Sequence, residues 1–326
     1  MGQTSRLRPM GRTSLEGVDL KLNRAQDNFH ALSQEISEFL AEPDHCKIAL
    51  NREAERRTSF RVADFRRPPP EWGVRIGECV HHYRSALNHL AFQLVLANTR
   101  GRLPAKVVKR SEFPIVNSGP KFRGKLNRKG VPSSGSGRAK IQDIAVPAQA
   151  IIESLQPYHR RKKPGARVLW DLHELANIDK HRILHLTHAA VHASSITVTE
   201  HRNVAALGEA HFRPRALIRD AVVAEVEIIP IDPRLGVQMN MEADISTDIV
   251  FGKSNPVRSV RGASVLKTLF DISTFIADDV LPPLADLLGL ESTFKPGSLI
   301  DLKALSRDEV EALGARVLVG PDLTFS

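Results

Sequence analysis

Apolar residues recur along the first part of the chain at Leu15, Val18, Leu22, Ala25, Phe29, Leu32, Ile36 and Phe39, with gaps that alternate between three and four. Such a stripe is the seam of a helix that packs lengthwise on another. It predicts a helix over 14–42, with Ser14 placed to cap it and Pro43 to end it. A second stripe, Ile76, Val80, Tyr83, Leu87, Leu90, Leu94 and Ala97, predicts a helix over 71–98. Between them HCKIALNREAERRTSFRVADF alternates in patches, as a short hairpin does, and RRPPPEW interrupts regular structure. A connection that compact turns the two helices antiparallel. A third helix is expected over 167–189, with Leu172, Leu175, Ile183 and Leu186 inward. A fourth is expected over 261–281, with Val265, Leu269, Ile272 and Ile276 inward and Pro282 and Pro283 as its stop.

Between the last two helices the period changes to two. Segments 195–199, 224–229 and 237–251 read as strands, and in the last Val237, Met239, Met241, Ala243 and Ile245 alternate with polar neighbours. The expected fold class is α+β: a bundle of long antiparallel helices with a small antiparallel β-sheet, wet on one face. The organisation that follows is a flexible tail over 1–13 and a helical bundle over 14–189. Next come a sheet plus a long helix packing back on the bundle over 190–290, and a C-terminal extension over 291–326. Ser306-x-x-Glu309 is a capping box for one short helix in that extension.

Composition narrows the function. The 326 residues are 42% hydrophobic and 25% charged, enough for one large core or two smaller ones. Lys and Arg number 46 against 37 Asp and Glu, a net charge of +9 that suits a polyanionic partner. Cys46 and Cys79 are too few for a disulfide scaffold or a cysteine-rich zinc module. No apolar run reaches the length of about 18 residues that a membrane span needs. The start, MGQTSRLRPMGRTS, lacks the apolar core of a secretory signal, and Arg6 breaks the myristoylation pattern. A cytoplasmic location is therefore expected. No dinucleotide-binding glycine fingerprint, phosphate-binding loop or Gly-x-Ser-x-Gly elbow occurs, which argues against nucleotide-dependent and serine-hydrolase chemistry.

Charge is concentrated in 117–140, NSGPKFRGKLNRKGVPSSGSGRAK, which holds seven Lys or Arg and no acid. Its Gly, Ser and Pro content reads as a disordered basic loop, with Lys121, Arg123, Lys125, Arg128 and Lys129 as the expected nucleic-acid contacts. Histidine is concentrated too: His81, His82, His89, His173, His181, His185 and His188 lie on the second and third expected helices. At about 100° per residue, Glu78, His81, His82, Arg84, Ser85, Asn88 and His89 share one face opposite the apolar stripe. That face has no Lys and suits a half-buried cleft. Asp179 falls on the apolar face of the third helix and needs a partner, with Tyr83, Arg84 and the second-helix histidines in reach. His173, Asn177 and His181 follow at steps of four.

Arg84-Ser85-Ala86-Leu87-Asn88-His89 is an Arg, four residues and a His on an amphipathic helix. This resembles the signature of HEPN proteins, a superfamily of helical bundles of which many members are metal-independent RNases acting as dimers. Members often carry Asn, Asp or His directly after the Arg, where this chain has Ser85. RSALNHLAFQLV followed by LWDLHELANIDKHR also resembles a group of uncharacterised bacterial proteins, which implies no activity. The HEPN resemblance implies RNA as partner, a homodimer, no cofactor and no metal. It makes Arg84 and His89 catalytic, and the helix-three reading adds Asp179 and His181 to the site. In that chemistry His89 moves protons to and from ribose oxygens while Arg84 clamps the scissile phosphate. Two other readings stay open. One is a non-catalytic bundle for self-association or partner-protein binding. The other is a metal- or small-ligand-binding bundle, for which Glu78-x-x-His81 has suitable spacing but no second such pair.

Overall fold

The computed structural model describes residues 13–296 apart from 55, 102, 104–106, 108–110, 129, 131 and 160–166. The expected tail up to residue 12, Lys129 and the short helix of the C-terminal extension lie outside the described residues.

Both apolar stripes form helices. α1 (Glu16–Ala41) buries all eight stripe residues, Leu15 included, and α2 (Glu71–Thr99) buries all seven of its own. The pair runs antiparallel. The Ser14 amide donates to Gln93 Oε1 at one end (3.1 Å), and Trp72 Nε1 donates to Glu35 Oε2 at the other (2.9 Å). The N-cap position is taken by Leu15, which makes no side-chain cap bond, and the expected cap Ser14 accepts the Glu16 N–H at 3.0 Å from one residue before it.

The hairpin between the helices forms as β1 (Cys46–Ala54) and β2 (Arg57–Phe65). After α2 the described residues include the short helices α3 (Gly119–Arg123), α4 (Gly137–Ile141) and α5 (Val146–Ser154), and then α6 (Val168–Asp179). Segment 117–140 is therefore not an unpacked loop. Phe122 is buried against Gly137, where an added Cβ would lie 2.7 Å from the phenyl ring, and Ala139 and Ile141 are buried beside them.

The third helix ends ten residues before its expected end. At Asp179 the chain turns, and β3 (Leu186–Arg202) begins where helix was expected. Ile183, read as inward, is 55% exposed. The apolar spacing of Ile183 and Leu186 continues the helical phase, but ladder pairing from Leu186 with Phe251 to Arg202 with Gln238 overrides it. The end of α6 docks on α2 over two glycines. A Cβ on Gly73 would lie 2.7 Å from Leu184 O, and one on Gly77 would lie 1.8 Å from Asp179 Oδ1.

The remaining strands are β4 (Ala206–Phe212), β5 (Arg215–Ala216), β6 (Val222–Ile229) and β7 (Gln238–Phe251). They make two antiparallel sheets, in the orders β1-β2-β6-β4 and β5-β3-β7, in place of the single sheet expected. Phe60, Val62, Val226 and Ile228 of the first sheet and Ile196, Met239 and Met241 of the second share one core. The expected alternation of β7 holds, with Met239 and Met241 buried between exposed polar residues.

The final helical run is α7 (Val265–Phe275), a wide π turn (Ile276–Val280) and α8 (Leu281–Leu288). Pro282 and Pro283 were expected to stop this helix and instead open α8. The Leu281 N–H bonds five residues back to Ile276 O, a widened register that carries the chain past two residues with no N–H to give. The fold is thus α+β; of the four long helices expected, α1, α2 and the continuous run over 265–288 form at length, and the third is cut to the 12 residues of α6. No helix among the described residues is long and apolar enough to cross a membrane.

Candidate functional site

The polar face of α2 is divided between two neighbours. His82 and His89 face α1. The His89 ring lies where a Cβ on Gly17 would come within 2.9 Å of Nδ1, and burial together with Lys21, His81 and Arg24 lowers the pKa of His82. Arg84 and Asn88 instead face the strip 111–116, which has no regular secondary structure. Asn88 Oδ1 accepts the Phe113 N–H (3.1 Å). Farther along, the fully buried Gln156 accepts the Val116 N–H (2.9 Å) and donates to Pro114 O (2.8 Å). These amide groups replace the missing ladder bonds and hold the strip, with Phe113 and Ile115 in the core.

The strip delivers Glu112 to Arg84. Arg84 Nη2 donates to Glu112 Oε1, and Lys140 Nζ of α4 donates to Glu112 Oε2 at 2.7 Å. The Arg84 side chain is 11% exposed, against 38% for Glu112 and 30% for Lys140. Burial alone would raise the Glu112 pKa. The Lys140 hydrogen bond and the Arg84 charge outweigh it, and the carboxyl sits below its ordinary value. Arg84 Nη1 is buried with no hydrogen-bond partner among the described residues.

His173 of α6 completes the cluster. Burial first, then the charges of Arg84 and Lys140, push its pKa down to about 4, so the imidazole is neutral at pH 7. Its Nε2 lies 3.0 Å from Asn177 Nδ2, and its ring lies 5.2 Å from that of Trp170. The cluster holds two cations and one anion beside a neutral base.

The sequence-derived site residues do not converge. Arg84 is paired inside this cluster, whereas the exposed His89 faces α1. Asp179 is half-buried against Gly77 at the end of α6. Burial raises its pKa, His81 lowers it and Glu78 raises it, and no ion pair closes on it among the described residues. Of its expected partners, Arg84 is held by Glu112 instead, and the second-helix histidine His81 acts on it through its charge without an ion pair among the described residues. His181 is exposed in the turn after α6, off the helix on which it was placed. Lys121, Arg123, Lys125 and Arg128 are all exposed on or beside α3, as is Arg138 on α4. None of these five forms an ion pair among the described residues.

Glu112 and the bridging role of Lys140 were missed from the sequence. The signal was there: Glu112 is the one acidic residue between Glu78 and Asp143. Among the described residues no group of three or more His, Cys, Asp or Glu side chains could hold a metal ion. No family model, curated protein or solved structure matches this chain.

Proposed function

We propose that the protein binds RNA through the cationic surface of α3, α4 and the turn between them, on an HEPN-like helical scaffold. The observation that carries this reading is the set of exposed side chains Lys121, Arg123, Lys125, Arg128 and Arg138 on a packed segment, none of them ion-paired among the described residues. Cations fixed on short helices lose less freedom on meeting a phosphate backbone than the same charges on a loose chain. Replacing Lys121, Arg123, Lys125 and Arg128 by Gln removes four charges that face solvent. Fluorescence anisotropy with a labelled ribo-oligonucleotide should show binding lost at physiological salt while the melting temperature stays put. Undiminished affinity would defeat the proposal.

A metal-independent RNase acting as a homodimer is the second reading. The exposed ring of His89 favours it, because a substrate can reach that ring. Arg84 of the same chain is not positioned beside it, so the clamp on the scissile phosphate must come from a second copy or from the basic surface. Attack by the substrate's own 2′-hydroxyl would leave a 2′,3′-cyclic phosphate, proceed in chelator and stop in His89→Ala. Intact RNA after incubation with the pure protein, with or without metal, leaves a non-cleaving binder.

A further inference from the structure

We propose that Arg84 and Lys140 form a phosphate site in which the Glu112 carboxylate is the resident stand-in, and that an RNA phosphate binds there by displacing it. The inference rests on the RNA reading and names one contact within it.

Each oxygen of Glu112 serves one cation, Oε1 on Arg84 and Oε2 on Lys140. Two oxygens of one phosphate can serve the same pair. The carboxylate leaves the guanidinium fork half used, since Arg84 Nη1 is buried with no partner among the described residues. A carboxylate has two oxygens and both are committed. A phosphodiester has two ester oxygens besides its two charged ones and a tetrahedral shape, which suit a fork and an ammonium together.

The exposures are ordered for such an exchange. Arg84 is fixed by α2 and is 11% exposed, while Glu112 is 38% exposed on an irregular strip and can rotate into solvent. Exchange also conserves charge. One monoanion leaves two cations and another takes its place, and His173 stays neutral throughout. Lys140 belongs to α4, the helix that also carries the exposed Arg138 and that packs on Phe122 of α3 through Gly137. A strand lying on Lys121 to Arg128 can place a phosphate at Lys140.

Two variants and one titration test this. Lys140→Gln leaves the Arg84–Glu112 pair in place. It should weaken oligonucleotide binding and flatten the plot of log affinity against log salt by about 0.7, the value of one single-strand phosphate contact. Glu112→Gln frees both cations and should tighten binding and steepen the same plot by a similar amount. If circular dichroism shows Glu112→Gln unfolded, Lys140→Gln decides alone. Inorganic phosphate added to the wild-type protein should shift the ring NMR signals of His173, and Lys140→Gln should abolish the shift.

If the wild-type protein binds RNA but the folded variants match its affinity and slope, and phosphate leaves His173 unmoved, the site is wrong and the RNA reading stands. If phosphate moves His173 through Lys140 but no RNA binds, the site stands and the RNA reading is wrong.

Discussion

His188 is fully buried where the helical and sheet halves meet, its ring 5.7 Å from that of Phe39 and 5.4 Å from that of His45. Burial first, then the charge of His45, lowers its pKa to about 4, against 6.5 for a free imidazole. The folded state therefore holds it neutral while the unfolded chain protonates below 6.5. The stability it lends is complete above that pH and is lost as pH falls toward 4, at a cost of about 2 kcal/mol by pH 5. His173 acts in the same direction over the same window. Thermal melts should drop between pH 7 and pH 5, and His188→Leu should reduce the drop. An equal drop in the variant would show that the ring is not the acid-sensitive group. At this scale the apolar stripes were legible in the sequence, because seven or eight positions in phase are hard to produce by any other packing. Glu112 stood out as the lone acid of a long stretch, but the partners of Glu112 and Gln156 were not legible. They belong to a stretch with no period, where spatial neighbours come from chain segments far apart in sequence.

Among the elements, α1, α2 and the β1–β2 hairpin were legible because local pattern and tertiary packing agree there. The third helix misled because its apolar phase runs on into β3, and only the partner strand β7 decides the matter. Segment 117–140 misled for a different reason. Its composition is that of a loop, yet one aromatic residue, Phe122, anchors two short helices through Gly137. That anchor carries a prediction. Phe122→Ala should cost about 3–5 kcal/mol of stability, as large-to-small changes at packed aromatic sites do. It should also weaken RNA binding although it removes no charge. Calorimetry and anisotropy on the same sample separate the two effects. Full affinity in a folded Phe122→Ala protein would show that the cations need no ordered platform.

At the scale of the whole molecule, the described residues form two cores. One lies among the helices, and Ile249 and Phe251 at the end of β7 enter it; the other lies between the sheets. On the sheet half Arg213 is paired with Glu225 and Arg219 with Asp64. On the helical half Lys121, Arg123, Lys125, Arg128 and Arg138 are exposed and form no ion pair among the described residues, whereas Lys140 is held by Glu112. These five exposed cations are available to a polyanion on the helical half. The measurement closest to that claim is the salt dependence of oligoribonucleotide affinity, taken for the wild-type protein and for the variant with Lys121, Arg123, Lys125 and Arg128 all replaced by Gln. With four contacts removed at about 0.7 each, the slope should flatten by roughly 3 and affinity at low salt should collapse. Equal slopes for the two proteins, or a wild-type protein whose binding ignores salt, would contradict the account.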